Sequence, residues 1–298
     1  MALNFYLNNR VFNDSIDHYF ESIYLKKVVV MLRELLSTET NFSFYFYLNR
    51  SASDLGNIKP FTGDENRKIC IIVDEDLIEM PELLAEFDFV FQAYISDIKS
   101  SQRYFHFPLG YSRQLLEGFN RTILSRNTNV FFSGNLHQGR RFFYYGLASF
   151  KNVPFFIAHR LQRILKIKYD FLFKKSYIRF TNGFGKGLSA TEYTEKLFDS
   201  KIVLCPPGIS NSETYRLYEA MKAGCVIISE PLPAKPFYEN MPIITIDSWA
   251  NISNIIDQVL ADEPQMLMRQ KAVIAHWNER LSENATAYYI VDCILAPK

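Results

Sequence analysis

The sequence has no run approaching the ~18 apolar residues that a membrane-spanning helix requires. Its opening residues, MALNFYLNNR, lack the basic lead and apolar core of a secretory signal. These absences predict a soluble, cytoplasmic protein. Cysteine is scarce as well: Cys70, Cys205, Cys225 and Cys293 are far apart, in no zinc or disulfide spacing, and three of them fall in apolar strand-like runs. Buried free thiols are the expectation. Nor is there an excess of charge of one sign, because 33 Lys and Arg stand against 32 Asp and Glu. A chain so balanced is not a nucleic-acid binder over its whole surface. Low-complexity segments and internal repeats are also missing.

What is present is an alternation. Short apolar runs (ALNFYLNN, FSFYFYLN, KICIIVDE, FDFVFQAYI) are interleaved with a long amphipathic stretch, YFESIYLKKVVVMLRELLS. Periodicity fades between about Arg103 and Arg126, and a second set follows with NVFFSGN, RRFFYYGLASF, VPFFIAH and YIRFTNG. This second set continues through helix-like TEYTEKLFDS, strand KIVLCPPG, helix ETYRLYEAMKAG and strands CVIISE and PIITID. Beyond Trp249 the spacing of Ile252, Ile255, Ile256, Val259 and Leu260 is helical, as it is through Tyr288, Tyr289, Val291 and Ile294 near the end. The predicted fold is α/β, with two Rossmann-like domains and C-terminal helices. The expected boundaries are residues 1–120, residues 121–280, and a helix at 281–298 that returns to the first domain.

The chemistry concentrates in KIVLCPPGISNSETYRLYEAMKAGCVIISE, residues 201–230. A buried strand ends at Cys205, a turn carries Gly208, and a helix is expected from about Ser212 with Glu213 in its first turn. Ligands of open α/β sheets bind at such an edge, where close backbone approach and a helix N-terminus favour an anion. Arg216 and Glu219 share one helix face and suit a nucleotide, guanidinium to phosphate and carboxylate to ribose hydroxyls. As isolated features they are equally an ordinary surface pair, worth ~0.2–0.5 kcal/mol. NVFFSGNLHQGRR repeats the strand, turn and helix-start arrangement, making Ser133, Gly134, Arg140 and Arg141 further candidates for phosphate contact. The glycines of TNGFGKG complete no phosphate-binding fingerprint, and a loop is expected there.

The run Cys205, Pro206, Gly208, Arg216, Glu219, Ala220, Gly224, Cys225, Pro236 and Phe237 resembles the C-terminal domains of exostosin-like glycosyltransferases and of bacterial capsule and lipopolysaccharide sugar transferases of the GT-B fold. The resemblance spans Gly187 to Tyr238. It implies two domains facing a cleft, a nucleotide-sugar donor held by Glu219 at the ribose and Arg216 at the phosphate, and a glycan or glycolipid acceptor at the cell surface. Where many retaining members carry a second Glu this sequence has Asn211, which leaves the stereochemistry open. The resemblance also places the catalytic group in the first domain. Asp14, Asp17 and His18 are its candidates for a base, with Asp74 and Asp76 as the alternative. No cofactor and no essential metal are expected, helix dipoles and arginines stabilising the leaving phosphate instead.

Between Arg140 and Lys186 stand eleven Lys or Arg against the single acid Asp170, interleaved with apolar residues. Such a stretch suits an anionic membrane surface or an anionic glycan, so peripheral contact at the inner face of a membrane is a further expectation. Nucleic acid is not an expected partner. The alternatives to glycosyl transfer are pyruvyl or glycerophosphate transfer on the same architecture, or a non-catalytic nucleotide- or glycan-binding module.

Overall fold

The computed structural model describes residues 3–8, 10–12, 19–39, 41–48, 58–73, 84–94, 103–118, 121–147, 153–165, 173–181, 187–209 and 212–296. The chain forms two compact units, the first of residues 1–113, 234–239 and 278–298, the second of residues 114–233 and 240–277.

The first unit is built on a six-stranded sheet of β1 (Asn4–Leu7), β2 (Arg10–Val11), β3 (Phe42–Leu48), β4 (Arg67–Val73), β5 (Phe89–Gln92) and β6 (Tyr104–His106). Its order is β2-β1-β3-β4-β5-β6, with β2 antiparallel to β1 and every other pairing parallel. A parallel sheet covered on both faces needs apolar residues on both, which explains the unbroken run FSFYFYL of β3, buried at all seven positions. The crossover from β1 to β3 carries α1 (Ser22–Leu35), whose inner face is Tyr24, Leu25, Val28, Val29 and Leu32. From β1 the parallel strands β3, β4, β5 and β6 follow in chain order toward one edge, while β2 lies on the other side of β1.

The second unit holds a five-stranded parallel sheet of β7 (Thr128–Asn135), β8 (Tyr177–Thr181), β9 (Ser200–Cys205), β10 (Val226–Ser229) and β11 (Ile244–Thr245). Its helices are α2 (Arg141–Leu147), α3 (Phe155–Leu165), α4 (Ala190–Phe198), α5 (Tyr215–Lys222), α6 (Ile252–Ala261) and α7 (Glu263–His276). The strand order β11-β10-β9-β7-β8 is the doubly wound arrangement 2-1-3-4-5 read backwards. Its order reverses between β7 and β9, so the loops leaving these two strands bound a crevice where such sheets bind ligands. The core below is aromatic: Phe143 packs edge-on against Phe132 and Trp249, each with centroids 4.7 Å apart.

After a wide turn at Trp277–Leu281, α8 (Glu283–Leu295) packs against α1 within the first unit. Tyr24 fixes this contact, its hydroxyl lying 2.9 Å from the Leu281 carbonyl and 2.6 Å from Thr286 Oγ1, while Tyr111 donates to Glu283 at 2.6 Å. Cys70, Cys205 and Cys225 are buried free thiols, and Cys293 is half-buried and free. No helix among the described residues is long and apolar enough to cross a membrane.

Candidate functional site

The strand β7 ends in Ser133, Gly134 and Asn135, and a short 3-10 turn, Gln138–Arg140, leads into α2. On the neighbouring strand, β9 ends at Cys205 and the chain turns through Pro206, Pro207 and Gly208. The two turns nearly touch: a Cβ added at Gly139 would lie 3.2 Å from the Gly208 carbonyl oxygen. Arg140 joins them. Its Nε donates to the Pro207 carbonyl at 2.8 Å and its Nη1 to the Asn135 carbonyl at 2.7 Å, with 7% of the residue exposed. Arg141, one residue on, begins α2 in solvent and lies over the Phe142 ring, 4.7 Å from its centroid.

Arg216 enters the same crevice from α5. The helix starts at Tyr215 with Thr214 as its N-cap in extended conformation, three residues later than expected from Ser212, and this leaves buried Glu213 ahead of the helix rather than in its first turn. Arg216 therefore sits at the second helical position. Its guanidinium lies 4.6 Å from the Phe132 ring centroid, and Nη2 donates to the Ser133 carbonyl at 2.5 Å. Gly134 makes the approach possible, because a Cβ there would overlap Arg216 Nη2 and stand 3.2 Å from Arg140 Nη1. Arg216 is 8% exposed, and its Nε and Nη1 have no hydrogen-bond partner among the described residues. Arg donors without an acceptor at a sheet's order reversal are able to receive an anion.

Glu219, one turn further along α5, is 3% exposed and accepts a hydrogen bond from the Tyr193 hydroxyl at 2.5 Å. Tyr193 is held on α4, whose N-terminus is fixed by a capping box in which the Ser189 side chain accepts from the Glu192 N–H and Glu192 bonds back to Ser189. Burial, followed by the Glu219 carboxylate, pushes the Tyr193 phenol well above its ordinary range, so it stays a proton donor toward Glu219. Burial also raises the Cys205 thiol, to about 12, against the lowering pull of Arg216. It is no nucleophile in that state. α5 ends at Gly224, whose positive φ of 61° is the left-handed helix stop anticipated from the sequence.

The structure thus brings Ser133, Gly134, Arg140, Gly208, Arg216 and Glu219 to the loops and helix around the β7–β9 crevice and leaves Arg141 outside it. Three participants escaped the sequence reading: Phe132 under the guanidinium, Tyr193 behind the carboxylate, and His137 in the β7 turn. His137 Nε2 is buried without a partner among the described residues, and burial together with Arg140 lowers its pKa to about 4. Only its position in NLHQGRR could have flagged it. Asp14, Asp17, His18, Asp74, Asp76 and Asn211 lie outside the described residues, as does most of TNGFGKG. Among the described residues no group of three or more His, Cys, Asp or Glu side chains could hold a metal ion.

Residues 181–292, running from the end of β8 into α8, match the RXYLT1 C-terminal domain. Comparison with curated proteins gives no match. Among solved structures the chain is similar to OtsA in its apo structure, with a TM-score of 0.52 and 11% identity over 98% of this chain and 80% of that one. It is similar to S. aureus TarM in complex with Fondaparinux, alpha-GlcNAc-glycerol and UDP, with a TM-score of 0.53 and 9% identity over 90% of this chain and 59% of that one. It is also similar to the E. coli trehalose-6-phosphate structure bound with UDP-2-fluoro glucose, with a TM-score of 0.51 and 12% identity over 92% and 78%. The chain has the GT-B fold of glycosyltransferases, and the unit bearing the Arg140, Arg216 and Glu219 site carries most of the match to the RXYLT1 C-terminal domain.

Proposed function

We propose that the chain is a glycosyltransferase that moves a sugar from a nucleotide-sugar donor to a glycan or glycolipid acceptor of the cell surface, with its donor site at the β7–β9 crevice. The observation that carries this reading is the pair of buried arginines. Arg140 and Arg216 come from different elements, both rest on main-chain carbonyls, and Arg216 keeps Nε and Nη1 without an acceptor among the described residues. Taking a guanidinium out of water is costly, and a phosphate is the ligand whose planar, bidentate recognition repays it.

In this reading Arg216 and Arg140 bind the donor phosphate and stabilise the charge that gathers on it as the glycosidic C–O bond breaks. Glu219 accepts from the ribose hydroxyls, oriented by the bond from Tyr193 to Oε2. The two arginines supply the positive charge for departure, so the proposal requires no metal. The acceptor hydroxyl gives up its proton to a base, which we assign to Asp14, Asp17 or His18, shortly after β2 in sequence; Asp74 and Asp76, after β4 in sequence, are the alternative. The fold of the structural neighbours, among them proteins solved with UDP and UDP-2-fluoro glucose, supports a nucleotide-linked donor.

The test is donor hydrolysis without acceptor, using sugars linked to CMP, UDP, GDP and dTDP. Slow release of free sugar from one donor, abolished in Glu219→Ala, is the expected result. Tight binding of a nucleotide with no turnover of any donor would instead mark a binding module that has lost its chemistry.

A further inference from the structure

The helix α3 turns its apolar side the wrong way for a core helix. Phe155 packs inward, its ring edge-on to Tyr144 with centroids 5.3 Å apart. Phe156, Ile157, Leu161 and Ile164 are 69, 40, 37 and 66% exposed. At ~100° per residue these four positions and exposed Arg160 fall within one arc of about 140° of the helix surface. Single exposed apolar residues are ordinary, but four large ones on a single helix face are not.

Charge identifies what covers this face. Of the chain's 33 basic and 32 acidic residues, eleven basic and one acidic lie between Arg140 and Lys186, leaving 22 basic against 31 acidic elsewhere. The positive charge is therefore gathered in the segment that contains α3, and Arg160 stands inside the apolar arc. Arg141, Lys174, Lys175 and Arg179, the exposed basic residues described on either side of it in sequence, add to the same sign. A second copy of the chain would bring this charge against itself across a symmetric contact. An anionic lipid surface meets both halves of the pattern, since acyl chains take Phe156 and Ile164 while headgroups take the arginine.

We propose that the outer face of α3 seats the second unit on an anionic lipid bilayer, with Phe156, Ile157, Leu161 and Ile164 in the interface and Arg160 at headgroup level. This surface is independent of the donor-site reading, because it is on the outside of a crossover helix between β7 and β8 and needs neither nucleotide nor acceptor.

The experiment is co-sedimentation of the full chain with vesicles of phosphatidylcholine alone and with about 30% phosphatidylglycerol, in the absence of nucleotide. Partitioning into the anionic vesicles is expected to exceed that into neutral ones by at least about tenfold, and to weaken when salt is raised, because screening acts on the headgroup contribution. The double variant Phe156→Ser/Ile164→Ser, both positions exposed and so tolerated by the fold, is expected to lose at least about tenfold in partitioning with an unchanged thermal midpoint. Arg160→Gln is expected to reduce the preference for anionic over neutral vesicles. Equal sedimentation of wild type and the double variant, or no binding to anionic vesicles, would overturn the proposal. So would a wild-type dimer in analytical ultracentrifugation that the double variant dissolves, since a second copy would then own the face. Donor hydrolysis persisting in the double variant leaves the reading of the crevice standing whichever way the vesicle result falls.

Discussion

A single methyl group at Gly134 probes the donor crevice from its floor. In Gly134→Ala the new Cβ would overlap Arg216 Nη2, lie 3.2 Å from Arg140 Nη1 and 3.3 Å from Phe132 Cζ. The ring and strand are packed, with Phe132 fully buried and Gly134 paired to Phe180 of β8, so the far end of the Arg216 side chain is what yields. Yielding breaks its bond to the Ser133 carbonyl, a charged hydrogen bond worth ~1.5–3 kcal/mol, and lifts the guanidinium off the Phe132 face, worth ~0.5–2 kcal/mol. Part of that is recovered where the arginine finds new partners, so a stability loss of ~1–3 kcal/mol is expected by urea denaturation, with the two-domain fold intact. Nucleotide affinity is expected to fall about ten- to a hundredfold, because the phosphate-binding group has been displaced rather than removed. Calorimetric titration of the nucleotide that binds wild type reads this directly. Unchanged affinity in a folded Gly134→Ala protein would refute the placement of Arg216 at the phosphate.

Three other perturbations follow from the geometry. Tyr193→Phe removes the donor to Glu219 Oε2, and donor KM is expected to rise about tenfold while kcat changes less, in line with ~1.5 kcal/mol, the low end for a hydrogen bond to a charged group; a fall confined to kcat would contradict a ribose-side role for Glu219. Arg126, 3% exposed, donates to the carbonyls of Ser200 and Ala223 at 2.7 Å each and so ties β9 to the C-terminus of α5; Arg126→Met is expected to cost ~2–4 kcal/mol in chemical denaturation, and a near-neutral result would mean those carbonyls find water. Burial, aided by Lys235 for His106 and by Arg140 for His137, lowers both imidazoles to about 4 from an ordinary value of 6.5. Below pH 6.5 the unfolded chain takes up these protons and the folded chain does not, so stability is full above that pH and falls as pH drops toward 4. A flatter profile over this window in His106→Gln/His137→Gln is the check, and an unaltered slope would show that neither imidazole is held neutral.

The strands were legible because a parallel sheet buried on both faces leaves unbroken apolar runs, as in FSFYFYL, KICIIV and KIVLC, and the Gly224 helix stop was legible because few residues other than glycine accept its left-handed backbone. Local chemistry could not place the start of α5. Ser212 and Thr214 are both acceptable N-caps, and the backbone chooses Thr214, moving Glu213 out of the helix. Nor could it separate Arg140 from Arg141. The 3-10 turn ends at the first and α2 begins at the second, so neighbours in sequence part company, one to the carbonyls of two turns and the other to solvent. Tyr193 was hidden because in TEYTEKLF a tyrosine reads as the core face of an amphipathic helix, and its partner Glu219 is 26 residues away. The exposed face of α3 is a similar case: apolar periodicity shows that a helix has a stripe, while only the packing of Phe155 against Tyr144 shows that a second apolar stripe faces outward.

The most direct test of a nucleotide-sugar donor site at the β7–β9 crevice is calorimetric titration of wild type and Arg216→Met with CMP, UDP, GDP and dTDP. One nucleotide is expected to bind wild type, and Arg216→Met is expected to weaken it about ten- to a hundred-and-fiftyfold, the equivalent of ~1.5–3 kcal/mol for a lost charged hydrogen bond. Binding that is the same in the folded variant, or no binding of any of the four to wild type, would contradict it.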